Sequence, residues 1–301
     1  MHRSVSLEPG VERCIIGGMA RLTLLVAVGM WMPLTALAAS PPIGYAQSTD
    51  SLERTRKPAL YTALNLLDGR ETTAWCASDE KSAGAQKITF GFKGPVTLDE
   101  IRVYTGNGTS GESFAEFARA KKLTLSSNLG ARSLVVADQR GQQAVPLRPP
   151  LSGAEFTLEI SETYPGQDAS SPVCLTDVVF YADGKPLNGS WLTPKLKFDK
   201  PRDKVLGTWF SGFEGAPERF LSFYFDRTFR FVYEPIDPSK QGYALSGEYE
   251  VSGTRVVLSL SGKGKASAKL ADGAGGPGSG RTLTFEDSAP EDFKEPFRDQ
   301  K

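Results

Sequence analysis

The sequence predicts an all-β protein in which a β-sandwich precedes a small antiparallel β-barrel or meander. Short runs of alternating apolar and polar residues occupy most of the chain, and a period of two is typical of half-buried strands. Residues that favour turns separate these runs. Only the segment 112–120 has a briefly helical pattern. This spacing of strands and turns favours a sandwich followed by a barrel or meander.

The candidate strands fall into two groups. The first group comprises residues 87–92, 98–104, 122–126, 133–137, 155–160 and 175–181. The second comprises residues 220–225, 228–233, 247–251, 254–260 and 281–285. Ser252-Gly253 lies between two runs of the second group and favours a hairpin turn there.

The N-terminal region 1–38 contains the pattern of a secretory signal. Arg21 precedes the apolar run 22–32, and the small-residue site 36–38 follows. We expect cleavage after Ala38 and a true start at Met19, because residues 1–18 form no part of this pattern. An uncleaved membrane anchor is the alternative, although the run is shorter than the roughly 20 apolar residues of a spanning helix.

Cleavage at this site changes the chemistry that is available. The only histidine, His2, lies in the removed segment, which excludes Ser-His-Asp and Cys-His catalysis and histidine-ligated zinc. Of 35 basic and 35 acidic residues, the segment removes three arginines and two glutamates and leaves 32 and 33. A nearly neutral chain without a basic cluster gives no reason to expect nucleic acid or a membrane surface as a partner.

Two cysteines, Cys76 and Cys174, remain after cleavage. An even number of cysteines in an exported chain indicates one disulfide. Such a bond closes a loop of about 100 residues and stabilises the fold by up to roughly 4–5 kcal/mol in the chain-entropy model. Two free structural thiols are the alternative.

Composition and length predict two domains, because the mature chain of about 260 residues is longer than a chain that folds around one small core. We predict a flexible polar leader at 39–58, a first domain at 59–190 and an extended, proline-containing linker at 191–203. A second domain follows at 204–287. The charged segment 288–301 is predicted to be a disordered tail.

Five short motifs follow one another along the first domain. The first combines the turn Asp68-Gly69 with Trp75 and Cys76. The others are Gly106-Asn-Gly108, Phe114-x-x-Phe117-Ala-Arg119-Ala-Lys121-x-Leu123, Ile160-Ser-Glu-Thr-Tyr164-Pro-Gly166 and Cys174-Leu-Thr-Asp177-Val-Val-Phe-Tyr181. Together, over residues 59–188, they resemble the NADase-type glycan-binding domain, a relative of discoidin-like, galactose-binding sandwiches.

The resemblance implies a jelly-roll sandwich in which Cys76 and Cys174 join an early strand to a late one. Domains of this family are similar to translocation modules beside bacterial NAD glycohydrolases, and they are not the hydrolase. The chain departs from the family pattern at two positions. Asp177 stands where related domains often carry glutamate, and Ala118 stands where a polar residue commonly precedes the Arg-x-Lys pair.

The resemblance also implies a structural calcium ion near the Asp-Gly turn. Galactose-binding-like sandwiches often hold one there with backbone carbonyls and a late acidic residue, and Asp68, Thr73 and Asp177 match those positions. Oxygen ligands are what calcium requires. In the alternative interpretation, Asp68 only caps its turn and Asp177 faces solvent.

Sugar binding needs aromatic faces that stack on ring C–H groups, with hydrogen-bonding side chains around them. Trp75 is expected in the core. Arg119 and Lys121 also suit a solvated strand face, which is their alternative role. The candidates for ligand binding lie at predicted strand ends or in loops: Tyr104, Asn107, Arg119, Lys121, Tyr164 and Gln167.

The second domain opens with Leu206-Gly207-Thr-Trp209 and continues with hairpins whose turns contain aspartate. A Gly-x-Trp on a first strand resembles the start of lipocalin-like domains, here over residues 204–287. We expect Trp209 to plug one end of the barrel, because so short a domain encloses little space. A small apolar cavity is the alternative.

These observations predict a secreted or periplasmic protein, without catalysis, whose first domain binds a glycan or another cell-surface ligand. A protein-interaction adaptor on the same scaffold is the first alternative. The second is a glycoside hydrolase that uses carboxylates alone, for which Glu155, Glu159 and Glu162 are available. The association of such domains with NAD hydrolases does not confer that reaction.

Overall fold

The structure, a computed structural model, describes residues 43–53, 55–78, 86–168, 170–261, 264–272 and 280–299. These residues belong to one compact unit. The signal segment predicted at 1–38 lies outside the described residues. Among the helices that are described, none has the length and apolar character needed to cross a bilayer.

The first half of the chain forms a β-sandwich, as the strand pattern predicted. The strands are β1 (Ile43–Ser48), β2 (Trp75–Cys76), β3 (Lys87–Thr105), β4 (Ala118–Ser127), β5 (Gly130–Val135), β6 (Gln143–Tyr164), β7 (Val173–Ala182) and β8 (Lys185–Pro186). Their hydrogen-bonded order is β1-β3-β6-β4-β7-β2, with β5 added to β4, β8 added to β7 and a further pairing of β3 with β7.

The long strand β3 connects the layers of the sandwich. β3 pairs with β1 through its first part and with β7 through its second part, so the two predicted strands at 87–92 and 98–104 are one bent strand. Its register with β6 shifts between Gly91 and Val96, where the strand bends. Fully buried side chains fill the space between the layers, including Trp75, Phe90, Phe156 and Phe180.

The predicted disulfide between Cys76 and Cys174 is confirmed. β2 and β7 are antiparallel and place the two cysteines directly opposite each other. The bond joins positions 98 residues apart. It therefore ties the early edge of the sandwich to its late central strand.

The second half forms a closed antiparallel barrel, which confirms the predicted C-terminal β-barrel. Its interior is packed rather than open, because Trp209, Phe223, Phe231 and Tyr249 are all buried inside it. The indole Nε1 of Trp209 donates to Val205 O at 2.8 Å. The strands are β9 (Gly207–Ser211), β10 (Glu218–Phe223), β11 (Thr228–Glu234), β12 (Tyr243–Ser252), β13 (Arg255–Leu260), β14 (Gly264–Ala271), β15 (Thr282–Phe285) and β16 (Phe297–Asp299).

The segments predicted to be a flexible leader and a disordered tail differ from those predictions. The leader predicted to be flexible contains β1, because Ile43, Tyr45 and Ala46 bury their side chains in the sandwich. The tail predicted to be disordered contains a 3₁₀ helix, Glu291–Phe293, and β16. Phe293 and Phe297 are fully buried in the barrel core, and this apolar burial outweighs the charged composition of the segment.

The helical segments are short. The pattern at 112–120 yields only α1 (Gly111–Glu116), after which the chain enters β4. The segment predicted to be an extended linker contains a 3₁₀ helix, Ser190–Lys195, and α2 (Lys200–Asp203). Arg202 explains this difference, because its buried guanidinium donates to Phe225 O at 3.0 Å and to Lys197 O at 2.8 Å and folds the linker onto the barrel.

Barrel residues pack directly against the sandwich. Phe225 N donates to Gly44 O at 2.7 Å, and Tyr224 and Phe225 belong to the apolar core of the sandwich. Lys93 of β3 forms an ion pair with Asp226 and contacts Thr228 Oγ1 at 2.9 Å. The two halves are therefore joined by backbone, apolar and charged contacts.

Candidate functional site

The candidate ligand residues lie around one end of the sandwich. At the start of β4, Arg119 pairs with Tyr164 of β6 and, in parallel, with Cys174 of β7. We name this end the Arg119 edge. It comprises residues 104–109, α1, residues 117–121 and 164–167, and the Asp138 that binds Arg119.

Arg119 is held at the centre of this edge by several contacts. Its Nε and Nη2 donate to Asp138 Oδ1 at 2.8 Å and Oδ2 at 2.7 Å. Its Nη1 donates to Phe117 O at 3.2 Å and to Pro165 O at 2.5 Å. The guanidinium carbon lies 5.4 Å from the ring centre of Phe114. With 12% of its side chain exposed, Arg119 fixes the surrounding loops in place.

The turn at Gly106 explains why Arg119 can lie so deep. Gly106 has φ +82°, a conformation that favours glycine. A Cβ at this position would lie 2.6 Å from Cγ of Arg119 and 2.8 Å from Cε2 of Phe114. The glycine therefore leaves room for the arginine and the aromatic ring to pack against the turn.

Tyr104 and Asn107 lie beneath the surface of the edge. Tyr104 is 2% exposed and Asn107 is 4% exposed. The amide oxygen of Asn107 accepts from Thr109 N at 3.2 Å and from Thr109 Oγ1 at 2.8 Å. Thr176 Oγ1 accepts from Gly108 N and donates to Gly106 O, both at 2.7 Å. These buried polar contacts set the shape of the loop at 106–109.

Lys121, Tyr164 and Gln167 are the more accessible candidates. Lys121 Nζ lies 3.1 Å from Glu162 Oε2 and 6.0 Å from the ring centre of Tyr164. The hydroxyl of Tyr164 donates to Val136 O at 3.1 Å, which fixes its half-buried ring. The side chain of Gln167 is exposed, while its backbone N–H donates to Glu116 O at 3.0 Å.

Sequence reasoning missed Asp138 and the ring of Phe114 as members of this site. Asp138 directly follows the predicted strand 133–137, so a signal was available: an acid at a strand end, opposite an arginine on the adjacent strand. The hydrogen bonds from Arg119 lower the pKa of Asp138 below its usual range. The carboxylate therefore stays charged at neutral pH and keeps the pair intact.

The three candidate calcium ligands lie close together in the structure. Thr73 Oγ1 donates to both carboxylate oxygens of Asp68, at 3.1 and 2.9 Å, and Arg70 N donates to Oδ1 at 3.0 Å. Asp68 thus caps its own turn. Burial, together with the negative charge of Asp68, raises the pKa of Asp177 to about 7.

The contacts of Asp177 test whether a cation fits at this position. Asp177 is 2% exposed, in contrast to the interpretation in which it faces solvent. Gln142 Nε2 donates to its Oδ2 at 2.5 Å, whereas its buried Oδ1 accepts no well-aligned hydrogen bond among the described residues. The backbone N–H groups of Gly69 and Val178 lie near the carboxylate and offset part of the rise in its pKa. An unpaired, buried carboxylate oxygen beside a second carboxylate is costly unless a cation or a proton compensates it. Oxygen atoms of this kind suit calcium.

Few carboxylates are available as ligands for a calcium ion at this position. Across the described ranges, no three or more histidine, cysteine, aspartate or glutamate side chains converge on a possible metal position. A calcium ion at Asp68 and Asp177 would therefore need further oxygen atoms from hydroxyl groups, backbone carbonyls or water, since calcium takes 6–8 oxygen ligands.

The carboxylates available for a hydrolase each contact a neighbouring side chain. Glu155 accepts a hydrogen bond from the buried hydroxyl of Tyr45. Glu159 lies 3.3 Å from Lys87 Nζ. The hydrogen bond from Lys121 lowers the pKa of Glu162, which is opposite to the raised pKa that a general acid needs.

Solved structures that resemble this chain cover about half of it. A family 32 carbohydrate-binding module from Clostridium perfringens NanJ, in complex with galactose, is 16% identical over 47% of this chain and 98% of that chain, with a TM-score of 0.33. CpGH89CBM32-5 from Clostridium perfringens, in complex with GalNAc-beta-1,3-galactose, is 14% identical over 48% of this chain and 100% of that chain, with a TM-score of 0.36. The arabinofuranosyltransferase AftD from Mycobacteria is 18% identical over 46% of this chain and only 11% of that chain, with a TM-score of 0.35.

The sequence was also compared with curated proteins and with models of protein families. No curated protein matches the chain. The family model of the NAD glycohydrolase translocation F5/8 type C domain matches residues 43–181. This range contains the Arg119 edge, the disulfide and both acids of the candidate calcium site. Over residues 43–181 the chain therefore matches the NAD glycohydrolase translocation F5/8 type C domain, which is discoidin-like.

Proposed function

We propose that the protein is an exported binding protein, without catalysis of its own, whose Arg119 edge binds a glycan or another cell-surface ligand. The observation that carries this proposal is the convergence of Arg119, Lys121, Tyr164 and Gln167 on one end of the sandwich. Family membership of this region supports a discoidin-like scaffold, on which function depends on the site rather than on the fold.

The chemistry of the edge suits a polar ligand with C–H faces. The partly exposed ring of Tyr164 offers an apolar surface, and Lys121 and Gln167 offer hydrogen-bonding groups beside it. Arg119 and Asp138 hold the strand and loops in position before a ligand arrives. Such preorganisation lowers the entropic cost of binding. Tyr104 and Asn107 contribute from below, by shaping the loop at 106–109.

A glycan array probed with the purified protein tests this proposal. The informative variants are Lys121→Ala and Gln167→Ala, because both side chains reach solvent and neither is part of the core. Lys185→Ala is the matched control, since this exposed lysine lies in β8, beyond the opposite end of β7. We expect specific retention of a saccharide that falls in both edge variants by about tenfold and is unchanged in the control.

Three other outcomes would contradict the proposal. A blank array, combined with a protein partner whose binding is lost in the same two variants, would favour the adaptor. Turnover of chromogenic glycosides that is lost in Glu155→Gln or Glu159→Gln would favour a hydrolase. Retention of sugars that Lys121→Ala and Gln167→Ala leave unchanged would move the binding site away from the Arg119 edge.

We further propose that calcium stabilises the first domain at Asp68, Thr73 and Asp177. The unpaired, buried Oδ1 of Asp177 and the neighbouring carboxylate of Asp68 support this assignment. Calcium there would neutralise two buried carboxylates and link the turn at 68–73 to β7. Its role is structural, because neither acid belongs to the Arg119 edge.

A further inference from the structure

A cavity of ≈ 270 Å³ lies where the first strand of the sandwich meets the segment that leads into the barrel. One side is formed by β1 and the 3₁₀ helix Ala63–Leu67, and the other by α2 and the residues that follow it. Its lining shares no residue with the Arg119 edge. The volume is near the lower limit of about 300 Å³ that is usual for small-molecule sites.

Two hydrogen-bond donors in the lining of this cavity lack partners. Arg281 uses Nε for Asp299 Oδ2 at 2.7 Å and Nη1 for Lys204 O, which leaves Nη2. Both Arg281 Nη2 and Gln47 Nε2 are buried without a hydrogen-bond partner among the described residues. Burying an unpaired donor is unfavourable, so two such donors on residues that line one cavity support a ligand that accepts from them.

The amide of Gln47 is confined by close packing against the backbone of Gly207. Gly207 has φ +109°, and a Cβ at this position would lie 2.6 Å from Oε1 and 2.9 Å from Nε2 of Gln47. Any larger residue at 207 would occupy the space in which the amide lies. The glycine therefore allows the Gln47 side chain to remain at the edge of the cavity.

The charge of the lining is positive. Lys200, Lys204 and Arg281 line the cavity, and among the described lining residues the sole acid is Asp203. The carboxylate of Asp203 already accepts from Arg202 Nε at 2.7 Å, so its charge is compensated from outside the cavity. The two lysine side chains are exposed, which leaves their amino groups free to approach a bound anion.

The remaining lining is apolar or carries hydroxyl groups. Pro58, Leu64, Phe198 and Leu206 supply apolar surface. The hydroxyl-bearing residues are Ser48, Ser51 and Thr62. A ligand that fills this space therefore needs an apolar body as well as a charged head.

We propose that this cavity binds a small organic anion whose phosphate or carboxylate group accepts hydrogen bonds from Gln47 and Arg281, with Lys200 and Lys204 at the rim. The apolar part of the ligand packs against Leu64 and Leu206. Since β1 belongs to the sandwich and α2 packs on the barrel, bound ligand also strengthens the junction between them.

Calorimetric titration of the purified protein with phenyl phosphate, benzoate and inorganic phosphate tests this site. We expect saturable binding of at least one aromatic anion, tighter than that of inorganic phosphate. Tighter binding of phenyl phosphate assigns a phosphate ligand, and tighter binding of benzoate assigns a carboxylate; both support the site. Absence of saturable binding for all three probes would overturn the proposal.

Variants locate the binding. Lys200→Ala/Lys204→Ala should weaken the better probe by about tenfold, whereas the charge-matched control Lys185→Ala/Lys240→Ala should change it less than twofold. Gln47→Leu should weaken binding several-fold without lowering the melting temperature, because it removes an unpaired donor from the free protein. Equal losses in both double variants, or full affinity in Gln47→Leu, would show that the anion binds elsewhere.

Discussion

Arg119 and Asp138 form a bidentate ion pair, with Nε–Oδ1 and Nη2–Oδ2 distances of 2.8 and 2.7 Å. The pair joins the start of β4 to the segment that follows β5, and the same guanidinium reaches the carbonyls of Phe117 and Pro165. One side chain therefore sets the positions of three chain segments at the proposed binding edge. Removing the carboxylate of Asp138 is therefore expected to lower both the stability of the fold and the affinity for a ligand.

Asp138→Asn should lower the free energy of unfolding by about 1 kcal/mol at pH 7, a value discounted for the partial exposure of the carboxylate. The pKa of Asp138 is lower in the folded protein than in the unfolded chain, because Arg119 donates hydrogen bonds to it. Its stabilisation is therefore present above the unfolded pKa and is lost as the pH falls through the folded pKa.

Denaturant titrations at pH 7 and at pH 3 measure this effect. The difference between the wild type and Asp138→Asn should shrink at the lower pH. Asp183→Asn, at an exposed aspartate in the turn between β7 and β8, is the control and should change little at either pH. A difference for Asp138→Asn that stays constant over this range would contradict the assigned pairing.

Replacing the disulfide should destabilise the sandwich strongly. Cys76 and Cys174 are 98 residues apart, and closing a loop of this length contributes about 4–5 kcal/mol in the chain-entropy model. Cys76→Ser/Cys174→Ser should lower the denaturant midpoint, and reduction of the wild type should reproduce the shift. If reduction leaves the midpoint unchanged, the bond contributes nothing measurable to folding.

Asp177→Asn distinguishes a calcium site from a buried acid without a metal. The substitution removes a buried charge, so in excess chelator the variant should melt at the same temperature as the wild type or higher. In excess calcium the wild type should gain several degrees and the variant should gain little. Melting curves with calcium and with chelator measure both effects. An equal response of the two proteins to calcium would remove Asp177 from the site.

The sequence predicted the strands better than it predicted their ends. The period-two runs at 155–160 and 175–181 lie within β6 and β7, because alternation marks one buried face directly. The long bend of β3 was not predictable from this pattern. A bulge shifts the register without changing the composition, so residues 87–105 read as two separate strands.

The candidate site was predictable only in part. Arg119 and Tyr164 were predicted only to lie at strand ends or in loops of the first domain, and the structure pairs them on adjacent strands. The burial of Tyr104 was not predictable, since a tyrosine at a strand end is compatible with either environment. The unpaired donors of Gln47 and Arg281 had no signal in the sequence, because they depend on contacts between residues more than 200 positions apart.

Phe293 is expected to be essential for closing the barrel. It is fully buried, and its ring centre lies 4.6 Å from that of Phe231 and 4.9 Å from that of Phe285. Phe293→Ala should cost about 3–5 kcal/mol, as is usual for a buried phenylalanine. Phe213→Ala is the control, because 71% of Phe213 is exposed, and it should change stability by less than about 0.5 kcal/mol. Chemical denaturation measures the free energy of unfolding of both variants. Equal, small losses in Phe293→Ala and Phe213→Ala would indicate that the tail is disordered.

Gly44→Ala should weaken the junction between the sandwich and the barrel. A Cβ on Gly44 would lie 2.2 Å from Cδ1 of Tyr224, and neither β1 nor the buried tyrosine has space to yield freely. Overpacking of this kind costs about 1–3 kcal/mol. Gly111→Ala is the control, since the nearest atom to its Cβ, Nη1 of Arg140, would be 3.7 Å away.

A double-mutant cycle separates this steric effect from a local effect on β1. In a Tyr224→Ala background the clash partner is absent, so Gly44→Ala should cost much less than in the wild type. Scanning calorimetry should then show one transition for the wild type and a broadened or split transition for Gly44→Ala, because the weakened junction lets the two halves unfold separately. Equal costs of Gly44→Ala in both backgrounds would mean that the glycine matters for β1 itself and that Tyr224 does not transmit the effect to the barrel.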